Sequence, residues 1–276
     1  MSMPTSLPGT SAEDITAAAV ASFEGTPDAR LKQILQSLTK HLHGFVQEVA
    51  LTEEEWFAAI DFLTRTGHMC SGKRQEFILL SDTMGVSMLV DLVAKPRPEG
   101  ATESTVFGPF HRDGAPDLPA GANIAPLDKD GIPVLVEGRV IDLDGNPIEG
   151  ALLDVWQTAS NGLYDSQDPS LDELHMRGRF RTNAKGEYSF RTTRPVHYQI
   201  PSDGPVGEML RSTNRHAWRP AHIHFAVSAP GFEPVTTHIF DAADPYLESD
   251  AVFAVKKSLV SDFSGDAVHF DFTLSR

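Results

Sequence analysis

The spacing of apolar residues changes near residue 104, and this change constrains the fold more than any other feature. Before it, apolar residues recur every three or four positions, as on one face of an α-helix. After it, short segments alternate apolar and polar residues between turn residues, which is typical of β-strands without interleaved helices. We therefore expect a mainly β protein, with a helical domain over residues 1–103 and an antiparallel β-sandwich over residues 104–276.

The helical part contains three segments that are expected to form helices. Thr26 followed by Pro27 predicts the start of the first helix, with an N-cap and then proline at the first helical position. Thr52 and Glu55 form a capping box ahead of EEWFAAIDFL, which predicts the second helix, and a third helical segment is expected at roughly 73–94. The first helix carries an apolar stripe made of Leu31, Ile34, Leu35, Leu38, Leu42, Phe45, Val46 and Val49.

The second part contains several segments with strand composition. VLVEGRVIDLDGNPIEGALLDVWQ predicts two strands around an Asp-Gly-Asn-Pro turn at 144–147, and FRTNAKGEYSFRTT predicts a hairpin. PAHIHFAVSA also has strand composition, and AVHFDFTL predicts a last strand. The proline- and glycine-rich stretch 96–122 is expected to be the loop-rich beginning of this domain.

Charge and composition exclude several functions. The net charge of −15 argues against nucleic acid or an anionic membrane as a partner. No apolar run approaches the ~18 residues of a membrane helix, and the N-terminus has neither a basic start nor an apolar stretch, so no secretory signal is expected. Cys70 is the only cysteine, which excludes an internal disulfide and fits a reducing cytoplasm.

Two His-x-His pairs occur, and their local structure separates them. His222 and His224 lie in the strand-like segment, where residues i and i+2 share a face. His41 and His43 lie on the helical pattern and, at about 100° per residue, point roughly 200° apart. Only the first pair suits one metal ion, as half of a first-row metal site. Two surface histidines on a solvated strand are the alternative interpretation.

Two histidines do not complete the coordination of a metal ion, and the residues alone do not decide which side chains supply the remaining ligands. The single cysteine lies in the helical part and no HExxH motif occurs, which argues against a thiolate zinc or iron–sulfur site. Asp165, Asp168 and Asp172 are candidate third ligands, although so acidic a segment is often simply solvated. Tyr164 lies at a turn and Tyr198 precedes a predicted loop, where half-buried packing is the ordinary interpretation.

Three motifs, WQTASNGLYD, RPVHYQIP and RPAHIHF, closely resemble in this order the intradiol ring-cleaving dioxygenases. These are non-haem iron(III) enzymes that open catechols between the two hydroxyl-bearing carbons. The resemblance covers nearly the whole chain and implies that the helical part is a dimerisation domain, which binds a lipid in some members. It implies an iron(III) cofactor, with ligands at the matching residues Tyr164, Tyr198, His222 and His224.

Iron(III) is a hard acid and phenolate a hard anionic donor, so the metal's charge must drive deprotonation of phenols whose usual pKa is ~10. The resemblance implies that the diol binds as a chelating dianion and that Tyr198 leaves the iron to accept a proton. Arg219 matches the arginine that stabilises negative charge on the ring. Catechol-cleaving members commonly have glutamine at the position of His238. By position alone, this histidine is expected to contact the substrate or a residue that supports the metal ligands.

ATESTVFGPF, DPYLESDAVFAVKKSLV and QEFILLSDTMGVSML resemble the members that cleave hydroxyquinol. The implied reaction uses O₂ and yields 3-hydroxy-cis,cis-muconate, which tautomerises to maleylacetate. Asp82 is expected to bind the third ring hydroxyl by a charge-assisted hydrogen bond, with a helix cap near Ser81 as its alternative role. The implied substrate-binding residues are Leu79, Asp82, Val106, Phe107, Gly108, Pro109, Phe110, Ile200, Pro201, Arg219 and His238.

Other functions remain as alternatives at this point. Catechol or chlorocatechol is the alternative substrate at the same iron site. A non-catalytic carrier of the transthyretin type would use the sandwich without a metal, and a zinc or copper hydrolase-like site would use the same histidines. We expect a cytoplasmic homodimer that forms through the helical part and acts on a small aromatic diol or triol and O₂.

Overall fold

The structure is a computed structural model that describes residues 11–72, 74–171 and 174–276. Two compact units are present, Met1–Thr64 and Arg65–Arg276. The domain division expected after residue 103 stays a prediction. The helices are α1 (Ala12–Ala21), α2 (Ala29–Glu48), α3 (Glu53–His68), α4 (Glu76–Thr83), α5 (Val86–Ala94) and α6 (Pro205–Ser212).

The helix starts of the first unit are set by local hydrogen bonds. The expected N-cap at Thr26 is wrong, because the side chain of Asp28 accepts hydrogen bonds from the backbone N–H groups of Arg30 and Leu31 at 2.8 and 2.9 Å. A carboxylate at this position satisfies two otherwise unpaired donors of the first turn. The capping box is present as predicted, since the Thr52 N–H donates to Glu55 at 2.9 Å and the Glu55 N–H donates to Thr52 at 3.2 Å.

The apolar stripe of α2 is exposed. Seven of its eight side chains are 44–54% exposed, and His43 on the same helix contacts Thr16 through Nδ1 at 2.9 Å. His41 and His43 are therefore helical, as predicted. An apolar stripe of this size on a surface is typical of an interaction face.

The segment expected to be helical over 73–94 forms two helices, α4 and α5. They separate at Gly85, whose φ of 73° lies in the left-handed region that favours glycine. Among the described residues no single helix is long and apolar enough to cross a membrane, and α4 and α5 satisfy those criteria only jointly, as a pair bent by 79°.

The strands of the second unit form two main sheets. The strands are β1 (Pro133–Asp142), β2 (Leu152–Trp156), β3 (Arg177–Arg181), β4 (Glu187–Thr193), β5 (Tyr198–Gln199), β6 (Trp218–Arg219), β7 (His222–Ser228), β8 (Val235–Asp241), β9 (Val260–Ser261), β10 (Ala267–His269) and β11 (Phe272–Leu274). One sheet has β1 at its centre, paired with β4 on one side and with β10 and β11 on the other; the second has the order β3-β2-β7-β8-β9. A separate pair joins β5 and β6.

A helical N-terminal part followed by a sheet-rich part is confirmed, but strictly antiparallel sheets are wrong. β1 pairs in parallel with both β10 and β11, and β8 pairs in parallel with β9. Strands of the other sheet lie between β1 and β10 in the chain, and residues 242–259 lie between β8 and β9. Neither parallel pair is therefore joined by a hairpin turn, and connections of this length permit parallel pairing. The last strand is divided at Phe270, whose carbonyl lies against Gly138 of β1.

Both expected strand–turn–strand units contain the predicted turn, but the two strands that flank each turn do not pair with each other. β1 and β2 lie in different sheets, and so do β3 and β4. The first turn is present, because the Gly145 N–H donates to the Asp142 carbonyl at 3.0 Å. After each turn the chain crosses to the opposite sheet, where the second strand finds its partner. Turn residues specify the local reversal and leave open which sheet the next strand joins.

The hydrophobic core lies between the two sheets and positions β7. Alternate residues of β7, Ile223, Phe225 and Val227, are fully buried in this core. Because side chains alternate along a strand, His222 and His224 point to the opposite face of the sheet. Both of these histidines are buried too, so β7 is covered on both faces.

We predict that Gly138→Ala destabilises the protein by about 1–3 kcal/mol, the usual range for overpacking. An added Cβ would lie 1.9 Å from the Phe270 carbonyl oxygen, so β1 and the last strand must separate. Urea unfolding measures the change. Gly265→Ala is the control, since its nearest atom would be at 3.8 Å; equal stability of the two variants would contradict the packing.

Candidate functional site

The two histidines predicted as metal ligands lie side by side on β7. His222 and His224 are 2% and 1% exposed, which rules out the alternative of two solvated surface histidines. Their Nε2 atoms are 3.2 Å apart. The strand thus presents two imidazoles that converge on one point, as its alternation predicts.

The two tyrosines come from separate segments of the chain. Tyr164 follows a turn in which the Asn161 side chain accepts from the Leu163 N–H at 3.0 Å, and its ring stacks on Phe110 at 4.3 Å. Tyr198 lies on β5, directly opposite Arg219 on β6. A sheet of two residues per strand therefore places a predicted ligand beside the predicted catalytic arginine.

The four predicted ligand atoms form one continuous group. Tyr164 Oη lies 2.9 Å from His224 Nε2 and 3.4 Å from Tyr198 Oη. Arg219 Nη1 borders the group, at 3.4 Å from both Tyr198 Oη and His222 Nε2. The structure brings together all four residues that the resemblance assigns to the metal.

Burial sets the protonation of these groups. Burial and, to a smaller extent, the neighbouring Tyr198 raise the pKa of Tyr164 well above its usual value, so this phenol is neutral unless a cation stabilises its anion. Burial also lowers the pKa values of His222 and His224 well below the usual value, and the charge of Arg219 lowers them further. Both imidazoles are therefore neutral near pH 7, the form that binds metals.

The donor group fits a ferric ion. Two ligand atoms at about 2.0–2.1 Å from one ion, with bond angles near 90–110°, are themselves about 3 Å apart. The neighbouring donor atoms here lie 2.9–3.4 Å apart. Two phenols and two imidazoles offer hard anionic and borderline donors, and tyrosinate also ligates ferric haem.

A third histidine lies beside this group. His238, on β8, is fully buried, and one ring nitrogen each of His222, His224 and His238 lies within 4.8 Å of the others. Its Nδ1 contacts Thr105 Oγ1 at 2.5 Å. Burial and the neighbouring His224 lower the pKa of His238 well below its usual value.

The carboxylates considered as third ligands have other partners. Both oxygens of Asp165 bond to Arg177, and Asp168 accepts from the Ser170 hydroxyl at 2.6 Å. Although burial raises the pKa of Asp165, its hydrogen bonds with Arg177 lower it overall, so it is an ionised partner of that arginine. Asp172 lies outside the described residues.

Arg219 has a buried partner that the sequence did not indicate. Asp250 accepts from Arg219 Nε at 3.1 Å and from Nη2 at 3.4 Å, and it also accepts from the Ala254 N–H at 3.0 Å. Although burial alone lowers the pKa of Arg219, the Asp250 carboxylate raises it overall. No local motif marks Asp250, because it reaches Arg219 only through the tertiary fold.

A cavity of about 760 Å³ is bordered by five predicted substrate residues, Leu79, Asp82, Pro109, Phe110 and Pro201. The other predicted residues lie around it in different roles. Val106 and Ile200 pack in one apolar cluster, and Phe107 lies 5.5 Å from the Trp156 ring. Gly108 approaches the ring of His224, whereas Arg219 and His238 belong to the buried group described above.

Family models match both parts of this chain. One described as "Catechol dioxygenase N terminus" matches residues 28–102, and one described as "Dioxygenase" matches residues 108–274. The chain belongs to the intradiol dioxygenase family. Its members are oxidoreductases that depend on non-haem iron, so the resemblance seen in the motifs is confirmed. Membership in this family excludes the non-catalytic carrier and the hydrolase-like site as interpretations.

Matches to known intradiol dioxygenases extend over nearly the whole chain. A 6-chlorohydroxyquinol 1,2-dioxygenase of Cupriavidus pinatubonensis is 49% identical over 267 residues, which are 95% of this chain and 96% of that protein. A hydroxyquinol 1,2-dioxygenase of Rhizobium sp. is 51% identical over 245 residues, 88% of this chain and 83% of that protein. The solved structure of a hydroxyquinol 1,2-dioxygenase from Pseudomonas putida is 52% identical, with a TM-score of 0.92, and covers 96% of this chain and 98% of that one.

We predict that Asp250→Asn destabilises this dioxygenase by about 3–5 kcal/mol, because it leaves the buried Arg219 charge without its partner. The free energy of urea unfolding measures the loss. Glu208→Gln is the control: Glu208 pairs with Arg65 at 2.6 Å, but both side chains are exposed, so about 0–1 kcal/mol is expected. Similar values for the two variants would show that Asp250 does not balance Arg219.

Proposed function

We propose that this enzyme cleaves hydroxyquinol between its adjacent hydroxyl-bearing carbons, using O₂ and an iron(III) ion. The product is 3-hydroxy-cis,cis-muconate, which tautomerises to maleylacetate. The observation that carries the proposal is the group of two phenol oxygens and two imidazole nitrogens whose neighbours lie 2.9–3.4 Å apart. The names of the relatives, which are hydroxyquinol or chlorohydroxyquinol dioxygenases, support the choice of substrate.

Tyr164, Tyr198, His222 and His224 would hold the iron. When bound, a ferric ion supplies the positive charge that turns the two phenols into phenolates and binds the diol oxygens. The imidazoles need no deprotonation, because their lowered pKa values keep them neutral. The buried position of all four side chains limits the access of bulk water to the ion.

Tyr198 and Arg219 carry the proton and charge functions in this proposal. Arg219 donates to Tyr198 Oη at 3.4 Å, so a phenolate formed at Tyr198 has a cation beside it. Tyr198 is the group that accepts a proton from the entering diol. The guanidinium, held by Asp250 on its other side, stabilises negative charge that develops on the ring.

Asp82 is proposed to select the third hydroxyl of the substrate. It lies in the last turn of α4 and is 8% exposed. Burial raises its pKa, against the smaller effects of Ser87 and Arg219. Asp82 is not the N-cap residue of either neighbouring helix, since that position is Gln75 in α4 and Gly85 in α5.

The remaining predicted contacts complete the proposed substrate site. Leu79, Pro109, Phe110 and Pro201 border the cavity with Asp82, and they supply apolar walls for an aromatic ring. Val106, Phe107, Gly108, Ile200 and His238 stay predicted as substrate contacts. Catechol and chlorocatechol remain the alternative substrates, and the buried carboxylate at Asp82 is the observation that favours a triol.

We also propose a cytoplasmic homodimer that forms through the helical part. The exposed apolar stripe on α2 supports this assembly, since an isolated surface helix ordinarily carries polar residues there. A lipid bound to the same helical part, as the family resemblance implies, belongs to the same proposal.

We predict that the iron-loaded protein is burgundy red because of tyrosinate-to-iron(III) charge transfer. Tyr164→Phe and His222→Ala should each lose most bound iron and the visible absorption band. Iron analysis and the absorption spectrum measure this effect. Tyr188→Phe is the matched control, because Tyr188 is equally buried but donates to the Phe270 carbonyl in the core at 2.7 Å.

Two results of the colour tests would overturn the proposed iron site. One is a wild-type protein that stays colourless after ferric iron is supplied. The other is a Tyr164→Phe or His222→Ala variant that loses activity but keeps its full red colour. Zinc at full occupancy in active protein would also contradict it.

We predict that Asp82→Ala lowers the ratio of kcat/KM for hydroxyquinol to that for catechol by about 10–100-fold, the value of one hydrogen bond to a charged group. Initial rates with both substrates measure the ratio. Asp271→Asn is the control, since Asp271 pairs with Arg139 on β1 and should leave the ratio unchanged. An unchanged ratio in Asp82→Ala, or faster wild-type turnover of catechol, would rule out this substrate choice.

A further inference from the structure

The two proposed histidine ligands are oriented by different means. His222 has a hydrogen-bond partner for its second ring nitrogen, because Nδ1 lies 2.7 Å from the Pro220 carbonyl oxygen. His224 Nδ1 is buried and has no hydrogen-bond partner among the described residues. Histidine ligands of metals almost always donate this second N–H to a fixed acceptor, which sets the orientation of the ring. Another contact must therefore orient His224.

Aromatic rings enclose His224 on both sides. Trp156 on β2 and His238 on β8 are its direct cross-strand neighbours in the ladder. The Trp156 ring is stacked on His224 with centroids 4.7 Å apart and an interplanar angle of 15°. The His238 ring meets it at 4.1 Å and 63°. Because neighbouring strands are about 4.8 Å apart, three registered side chains on one face necessarily touch.

The contacts on His224 are themselves held in place. Trp156 and His238 are fully buried, and Thr105 Oγ1 lies 2.5 Å from His238 Nδ1. The Thr105 N–H donates to the Thr236 carbonyl on β8 at 2.9 Å. At the ring edge, a Cβ added to Gly108 would lie 3.2 Å from His224 Cε1, so the backbone closes that side.

We propose that Trp156 and His238 are positioning residues that fix the imidazole plane of His224 by packing, in place of a hydrogen bond. The inference rests on the proposed function, because it assumes that His224 binds iron. Rotation of the His224 ring about its χ2 angle would drive its edge into the indole on one side or the second imidazole on the other. Thr105 extends this support from the segment that also carries Val106 and Gly108, two residues predicted to contact the substrate.

This role differs from a substrate contact at His238. The residue is 0% exposed and does not border the cavity that contains Asp82. Its ring lies against two proposed ligands, His222 at 4.7 Å and His224 at 4.1 Å. A glutamine at this position would offer an amide but not the flat ring that covers His224.

The test compares iron dissociation from holoenzyme variants into excess chelator. Trp156→Leu and His238→Gln should release iron about 10–100-fold faster than wild type, the range found when outer contacts of metal ligands are removed. Trp156→Phe keeps an aromatic face, so its rate of iron release should be close to that of wild type. Thr105→Val should give a smaller acceleration, because His238 then loses its hydrogen bond but keeps its ring.

Phe180→Leu is the control for a general loss of packing. Phe180 is equally buried and stacks on Phe190 at 5.1 Å and 20°, but in the core between the sheets. The Phe180→Leu substitution should lower the thermal midpoint of the metal-free protein and leave the rate of iron dissociation within about twofold of wild type. A shift of the charge-transfer band in the Trp156 and His238 variants, absent in Phe180→Leu, is expected as well.

The proposal is overturned if Trp156→Leu and His238→Gln release iron no faster than Phe180→Leu at equal thermal midpoints. It is also overturned if Trp156→Phe releases iron as fast as Trp156→Leu. Should Trp156→Leu not fold, His238→Gln against Phe180→Leu decides the question. A wild-type protein that binds no iron would instead reject the proposed function.

Discussion

Strand β7 is buried on both of its faces, and the rest of the structure depends on this arrangement. Ile223 and Phe225 point into the core between the sheets, while His222 and His224 point to the opposite side. A slip of one residue would exchange these two sets. The free energy of burying the apolar set therefore also holds the imidazoles in register, and a rigid strand at the centre of its sheet carries the donors.

The site combines neutral donors with one permanent charge. Burial keeps His222 and His224 uncharged and raises the pKa of Tyr164, so these three donors carry no charge of their own until a cation binds. Arg219 is the fixed positive group beside it, and Asp250 offsets that charge. Such an arrangement favours an ion that can convert both phenols to phenolates, as a ferric ion does in this family.

The sequence predicted some features well because they depend on local spacing. The capping box at Thr52, the strand at His222 and the helical setting of His41 each require only neighbouring residues. Partners of strands were predicted less well: β1 and β2 were expected to pair around their turn, yet they lie in opposite sheets. Asp250 gave no signal, because a carboxylate 31 residues from Arg219 becomes its partner only in the folded chain.

By itself, the sequence determined the class of the protein, the order of its helical and β parts, and the four residues that match the family's iron ligands. These follow from periodicity and from motifs whose flanking residues are specific. Only the tertiary structure decided which strands pair, that Arg219 is balanced by Asp250, and that Trp156 and His238 enclose His224. The physical reason is that burial and cross-strand contact are properties of segments distant in the chain, and no local pattern encodes which of them will meet.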